Sequence, residues 1–189
     1  ENVLALRGDL PKDQPDWQPA PGGFRHANEL AAFIKSRFGF SLGGACYPEK
    51  HHEAPSFEED LANLRKKTES GVEFLLTQLF LDNRAFFRFV ERAREAGIEV
   101  PIVPGIMPMV SLKNLRSAMQ LSPGSKAPPE LEERLVEAGE DTDRATEVGV
   151  QWATRQCREL LDRGAPGIHF FTLNTSPATR KVHGSLSKK

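Results

Sequence analysis

Short apolar runs rich in Val, Ile, Leu and Phe alternate along the chain with longer amphipathic stretches, the pattern of a parallel sheet wrapped by helices. It predicts strands over Val3–Leu6, Ser41–Tyr47, Phe74–Gln78, Ile102–Val103 and Ile168–Thr172. All are short and mostly apolar, as strands covered on both faces should be. Ser56-Phe57-Glu58-Glu59 predicts a capping box opening a helix with Leu61 and Leu64 inward. Asp82 caps a helix that carries Phe86, Phe89, Val90 and Ala93 on one side and stops at Gly97. Val148, Trp152 and Leu160 mark a later helix ending near Gly164 and Pro166. Pro11–Gly23 and Leu121–Glu130 are expected as loops, the second followed by a short charged helix.

Such strand–helix units suit either an open doubly wound sheet or part of a (β/α)₈ barrel. No Gly-x-Gly-x-x-Gly follows any strand, which counts against the dinucleotide-binding version. Polar residues collect instead at strand ends: Arg7 and Asp9, Tyr47 and Glu49, Gln78, then Asn174. In a barrel those ends converge on one mouth, where catalytic residues gather.

Composition narrows the function classes. The chain has 189 residues, 39% hydrophobic and 27% charged, with a formal net charge of −1, which leaves no basic field to recruit nucleic acid or anionic lipid. No apolar stretch approaches the ~20 residues of a spanning helix, and the start lacks a signal-peptide pattern, so a cytoplasmic protein is expected. Cys46 and Cys157 fit two buried, reduced thiols better than a disulfide or a zinc site.

Three constellations could carry chemistry. Arg7-Gly8-Asp9 is either a salt-bridged strand end or a pocket mouth, with Arg7 available for a phosphate or carboxylate. In GGACYPEKHHEA the small residues Gly43, Gly44 and Ala45 would let a flat ligand approach the backbone, and Tyr47 adds an aromatic face. His51-His52-Glu53 lacks the i, i+4 geometry of a helical metal site, so no metal is expected. Asp60, Asn63 and Lys67, with Lys66 beside them, share one helix face. That face is either a solvated flank or a site where a carboxylate holds ribose hydroxyls and a lysine meets a diphosphate. Gln78 can read a heterocyclic amide edge or cap a loop.

The stretches NVLALRGDLP, YPEKHHEA, DLANLRKKTESGVEFLLTQLFLD, VPGIMPMVSLKNL and GIHFFTLNTSPATR occur in the order found in methylenetetrahydrofolate reductases, and the chain resembles the C-terminal two-thirds of that family's catalytic barrel. The resemblance implies a flavin-dependent (β/α)₈ barrel that passes a hydride from NAD(P)H through FAD to 5,10-methylenetetrahydrofolate, giving 5-methyltetrahydrofolate. It implies FAD contacts at Arg7, Gly8, Asp9, His26, Ala27, Tyr47, His51, Asp60, Asn63, Lys66 and Lys67. Asp9, Gln78 and Asn114 would contact the folate, with Asp9 catalytic. Some relatives carry an arginine where Thr175 stands, a contact to the folate tail that this chain lacks.

The family barrel begins with three further strand–helix units, the first of which supplies a general-acid glutamate. Residues 1–189 are therefore expected to form a single incomplete TIM-barrel domain, with strands resembling the fourth to eighth of the family, in a partial sequence or one piece of a split enzyme. The intact protein is expected to be a homo-oligomer binding small molecules, not nucleic acid or membrane. The rival expectation is a non-catalytic barrel remnant kept as a binding or assembly module.

Overall fold

A computed structural model describes residues 1–8, 18–121 and 125–187. Four strands, β1 (Asn2–Ala5), β2 (Ser41–Cys46), β3 (Val72–Thr77) and β4 (Ile102–Val103), pair in parallel in that order. β5 (Gly105–Ile106) pairs in parallel with β6 (His169–Phe170). The fourth predicted strand thus continues past Pro104 and changes partner there. Proline has no N–H for a ladder, and the Gly105 N–H is taken by the buried Thr77 hydroxyl at 2.8 Å. The Pro104 carbonyl accepts from His169 N–H at 2.9 Å, which opens the second ladder.

Helices α1 (Ala27–Arg37), α2 (Phe57–Glu69), α3 (Asn83–Glu95), α4 (Leu112–Leu121), α5 (Pro129–Ala138), α6 (Thr142–Asp162) and α7 (Pro177–Leu186) complete the α/β architecture. Caps set several boundaries. The Glu59 N–H donates to Ser56 Oγ at 3.1 Å at the start of α2. Asp82 accepts from Arg84 N–H at 2.9 Å before α3, and Gly97 with φ +80° ends the turn after it, a conformation glycine adopts without a Cβ clash. None of the helices is long and apolar enough to cross a membrane among the described residues.

Two cores hold these layers together. Leu42, Leu75, Phe89, Ile98 and Ile106, with Leu160 from α6, form the one around the sheet. The other gathers Met107, Met109, Leu115, Leu131, Leu135 and Trp152 where α4, α5 and α6 meet. Burying a side chain the size of Phe89 stabilises the fold by about 1.5–3 kcal/mol. At the edge, β1 pairs only with β2 among the described residues, and Leu4 and Leu6 remain 40% and 49% exposed.

The approach of α6 to the Met109 backbone depends on Gly149. A Cβ there would lie 2.1 Å from the Met109 carbonyl oxygen. In a free helix Gly→Ala stabilises by up to ~1 kcal/mol. Here Gly149→Ala is expected to destabilise by ~1–3 kcal/mol through overpacking, read as a lower urea midpoint. An equal or higher midpoint would contradict the contact.

Candidate functional site

Parallel pairing sends the C-terminal ends of β1 and β2 to the same rim, and a cleft of about 520 Å³ opens there. Its wall is built from the end of β1, the start of α1, the loop after β2 and one face of α2. Arg7, His26, Ala27, Tyr47, His51, Asp60, Asn63, Lys66 and Lys67 all line it. Gly8, Gln78 and Asn114 do not line it, and Asp9 lies outside the described residues.

Lys67 is the most constrained of these groups. Its stem runs alongside Gly44, where a Cβ would come within 3.0 Å of Lys67 Cδ, and its Nζ donates to the Ala45 carbonyl at 2.7 Å. Gly43 faces the Phe74 ring, which a Cβ would meet at 2.5 Å. Both glycines therefore make room for side chains of the protein itself, and it is Ala45 that faces the cleft. Burial pushes the Lys67 ammonium below its ordinary range, partly offset by the charge of Asp60. Among the described residues no carboxylate forms an ion pair with it.

On the same helix Asp60 Oδ2 accepts from the His51 backbone N–H at 2.9 Å, and Lys66 Nζ lies 3.5 Å from Asn63 Oδ1. The loop that carries His51 is folded on itself by Lys50, in the left-handed region at φ 75°. Lys50 Nζ donates to the carbonyls of His51, at 3.0 Å, and Ala54. Tyr47 meets the His51 ring edge-on at 4.4 Å, and His52 stacks on the same ring at 4.6 Å.

Sequence reasoning left Glu53 without a role. Arg7 donates to Glu53 Oε1 at 2.8 Å, and the Glu53 N–H donates to His51 Nδ1 at 3.1 Å. Arg7 holds the Glu53 carboxyl below its ordinary range. The conjunction of a strand-end arginine with an acid beside histidines was the available signal. Asn28, at the start of α1, was missed with its helix and also lines the cleft.

Gln78 and Asn114 make local bonds elsewhere. Gln78 Oε1 accepts from Leu79 N–H at 2.8 Å at the end of β3, and Asn114 Oδ1 accepts from Val110 N–H at 3.2 Å at the start of α4. Cys46 and Cys157 are buried free thiols; burial raises both, Cys157 to about 12, so neither is a nucleophile.

The family model for methylenetetrahydrofolate reductase matches residues 1–187. This chain belongs to the methylenetetrahydrofolate reductase family. It is 37% identical over 183 residues to methylenetetrahydrofolate reductase 2 of Saccharomyces cerevisiae, covering 94% of this chain and 30% of that protein. It is 32% identical over 188 residues to the 5,10-methylenetetrahydrofolate reductase of Escherichia coli, covering 98% of this chain and 60% of that protein. The chain thus spans about 30% of the yeast reductase and 60% of the bacterial one. The fold also resembles that of an uncharacterized Clostridium thermocellum protein described as binding two copies of 5-methyl-5,6,7,8-tetrahydrofolic acid. That likeness has a TM-score of 0.56 at 18% identity over 88% of this chain and 60% of the other.

In this reductase-family chain, burial holds the His51 imidazole below its ordinary value, with His52 the next cause. The unfolded chain therefore takes up that proton at higher pH than the folded one. The resulting stabilisation is present above the ordinary imidazole pKa and is lost as pH falls through the lower folded value. In ¹⁵N-resolved NMR titrations His51 should show a midpoint below ~6.5 and, because Nδ1 accepts a hydrogen bond, the Nε2–H tautomer at neutral pH. A midpoint above that value would contradict the burial.

Proposed function

We propose that this chain carries the FAD-binding rim of a methylenetetrahydrofolate reductase, folded as one incomplete barrel domain equivalent to the fourth to eighth strands of the family barrel. In its full-length form the enzyme would be a cytoplasmic homo-oligomer using NAD(P)H. The observation that supports this best is the Lys67 ammonium, drawn into the protein with a carbonyl as its hydrogen-bond partner and, among the described residues, without a paired carboxylate. A cation in that setting gains from an anion arriving in the cleft. The donor set fits a dinucleotide: Lys66, Lys67 and Arg7 for a diphosphate, Asp60 and Asn63 for sugar hydroxyls, Tyr47 and His51 for a ring. The volume is in the range of small-molecule sites, about 300–1,000 Å³.

When bound, FAD supplies the hydride relay between the nicotinamide and the folate. The protein's task is to hold it and bias its charge. Lys67 and Lys66 would neutralise diphosphate charge while the small side chains of Ala5, Ala27, Ala45 and Ala54 leave the cleft open. Asp9, through its negative charge, would oppose accumulation of charge on a reduced ring and favour a cationic folate iminium. With Gln78 Oε1 engaged by Leu79 N–H, its NH₂ group is the part suited to donate to a pterin carbonyl.

The rival assembly-module reading draws on the exposed Leu4 and Leu6, in and just after β1, which pairs only with β2 among the described residues. The visible spectrum of the purified full-length protein separates the two. A flavin spectrum is expected; a colourless protein that gains none on reconstitution would defeat the reductase reading.

Two substitutions in the full-length reductase test the assignments. Lys67→Ala should weaken FAD binding about tenfold or more, the scale of a lost charge-assisted bond, by flavin fluorescence titration; unchanged affinity would remove Lys67 from the site. Asp9→Asn should keep FAD bound yet slow folate reduction by about ten- to a hundredfold, as loss of a transition-state charge does. Equal folate turnover would contradict the electrostatic role.

A further inference from the structure

Glu53 joins two elements of the cleft. Its carboxylate accepts from Arg7, at the end of β1, and its backbone N–H fixes Nδ1 of His51, in the loop after β2. His52 Nε2 also lies 3.8 Å from the same Oε1. The loop beneath is held by the Lys50 ammonium on the carbonyls of His51 and Ala54 and by Asp60 on the His51 N–H. The Glu53 acceptor is thus presented from a braced frame.

We propose that Glu53, itself in the wall of the cleft, is a positioning residue: it acts through Arg7, orienting the guanidinium toward an anionic or carbonyl-bearing ligand. The inference rests on the flavin reading of the cleft.

Two effects of the carboxylate oppose each other. It cancels part of the attraction of Arg7 for an anion, and it holds one end of a long side chain in place before the ligand arrives. Glu53 and Arg7 are 40% and 28% exposed, so water screens the cancellation. The ordering gain does not depend on that screening. Arginine also presents five N–H donors in a rigid fork, so engaging one with Glu53 orients the others.

FAD affinity of the full-length reductase, measured by flavin fluorescence for the wild type, Glu53→Gln, Arg7→Met and the double variant, tests this. Thermal unfolding of each apoprotein reports folding separately. Glu53→Gln should weaken FAD binding about fivefold, the scale of a partly exposed ion pair, and should have less than about a twofold effect when Arg7 is already methionine. Equal losses in both backgrounds would show that Glu53 acts independently of Arg7 and would overturn the proposal. Tighter binding by Glu53→Gln would overturn it too, because charge cancellation would then outweigh orientation. If Arg7→Met weakens FAD binding while Glu53→Gln does not, the positioning role fails and the cleft reading stands. If Arg7→Met retains wild-type affinity, Arg7 leaves the flavin site and the positioning proposal fails, while the cleft reading is decided separately by Lys67→Ala.

Discussion

The register of three parallel strands governs everything on the rim. Ala5 pairs across from Gly44, and Cys46 from Thr77, so β1, β2 and β3 deliver their following residues to one side of the sheet. A parallel ladder permits this because each strand returns through a helix and starts again at the far edge. A slip by one residue would turn Leu42 and Cys46 out of the core and expose them to water. The core on the helix side therefore protects the position of groups that are not part of it.

On that frame, electrostatics and space are arranged together. Lys67 reaches its carbonyl partner because β2 has no side chain at Gly44, so one missing Cβ decides where a positive charge rests. Desolvation lowers its affinity for a proton, while the neighbouring Asp60 charge works in the opposite direction. Asp60 also anchors the His51 backbone, so the same carboxylate shapes the loop and moderates the field.

Much of the fold could be read from the chain because its signals were local. The caps at Ser56 and Asp82 and the left-handed turn at Gly97 fell where the hydrophobic pattern broke, and the strands lay where the apolar runs did. Helices α1, α4 and α7 escaped notice for different physical reasons. His26 occupies the cap position of α1, and the first-turn Glu29 carboxylate accepts from the Arg25 and His26 N–H groups. Ser111 donates no hydrophobic cue, yet its hydroxyl accepts from Asn114 N–H, and Ser176-Pro177 is a start signal that was passed over. In the cleft, helix spacing alone joined Asp60, Asn63 and Lys67, whereas the Arg7–Glu53 contact spans 46 positions and depends on tertiary geometry. The glycines of β2 were misread because a sequence does not say whether an absent side chain makes room for a ligand or for Phe74 and Lys67.

At Pro104 the run of interstrand bonds is interrupted twice in succession, first by a residue with no amide hydrogen and then by Gly105, whose own goes to a hydroxyl. Thr77 is therefore the stitch between two panels of backbone. The ladder breaks at this seam but the packing does not: Ile106 of the second panel lies in one core with Leu42 and Leu75 of the first, so side chains carry across what the backbone leaves unjoined.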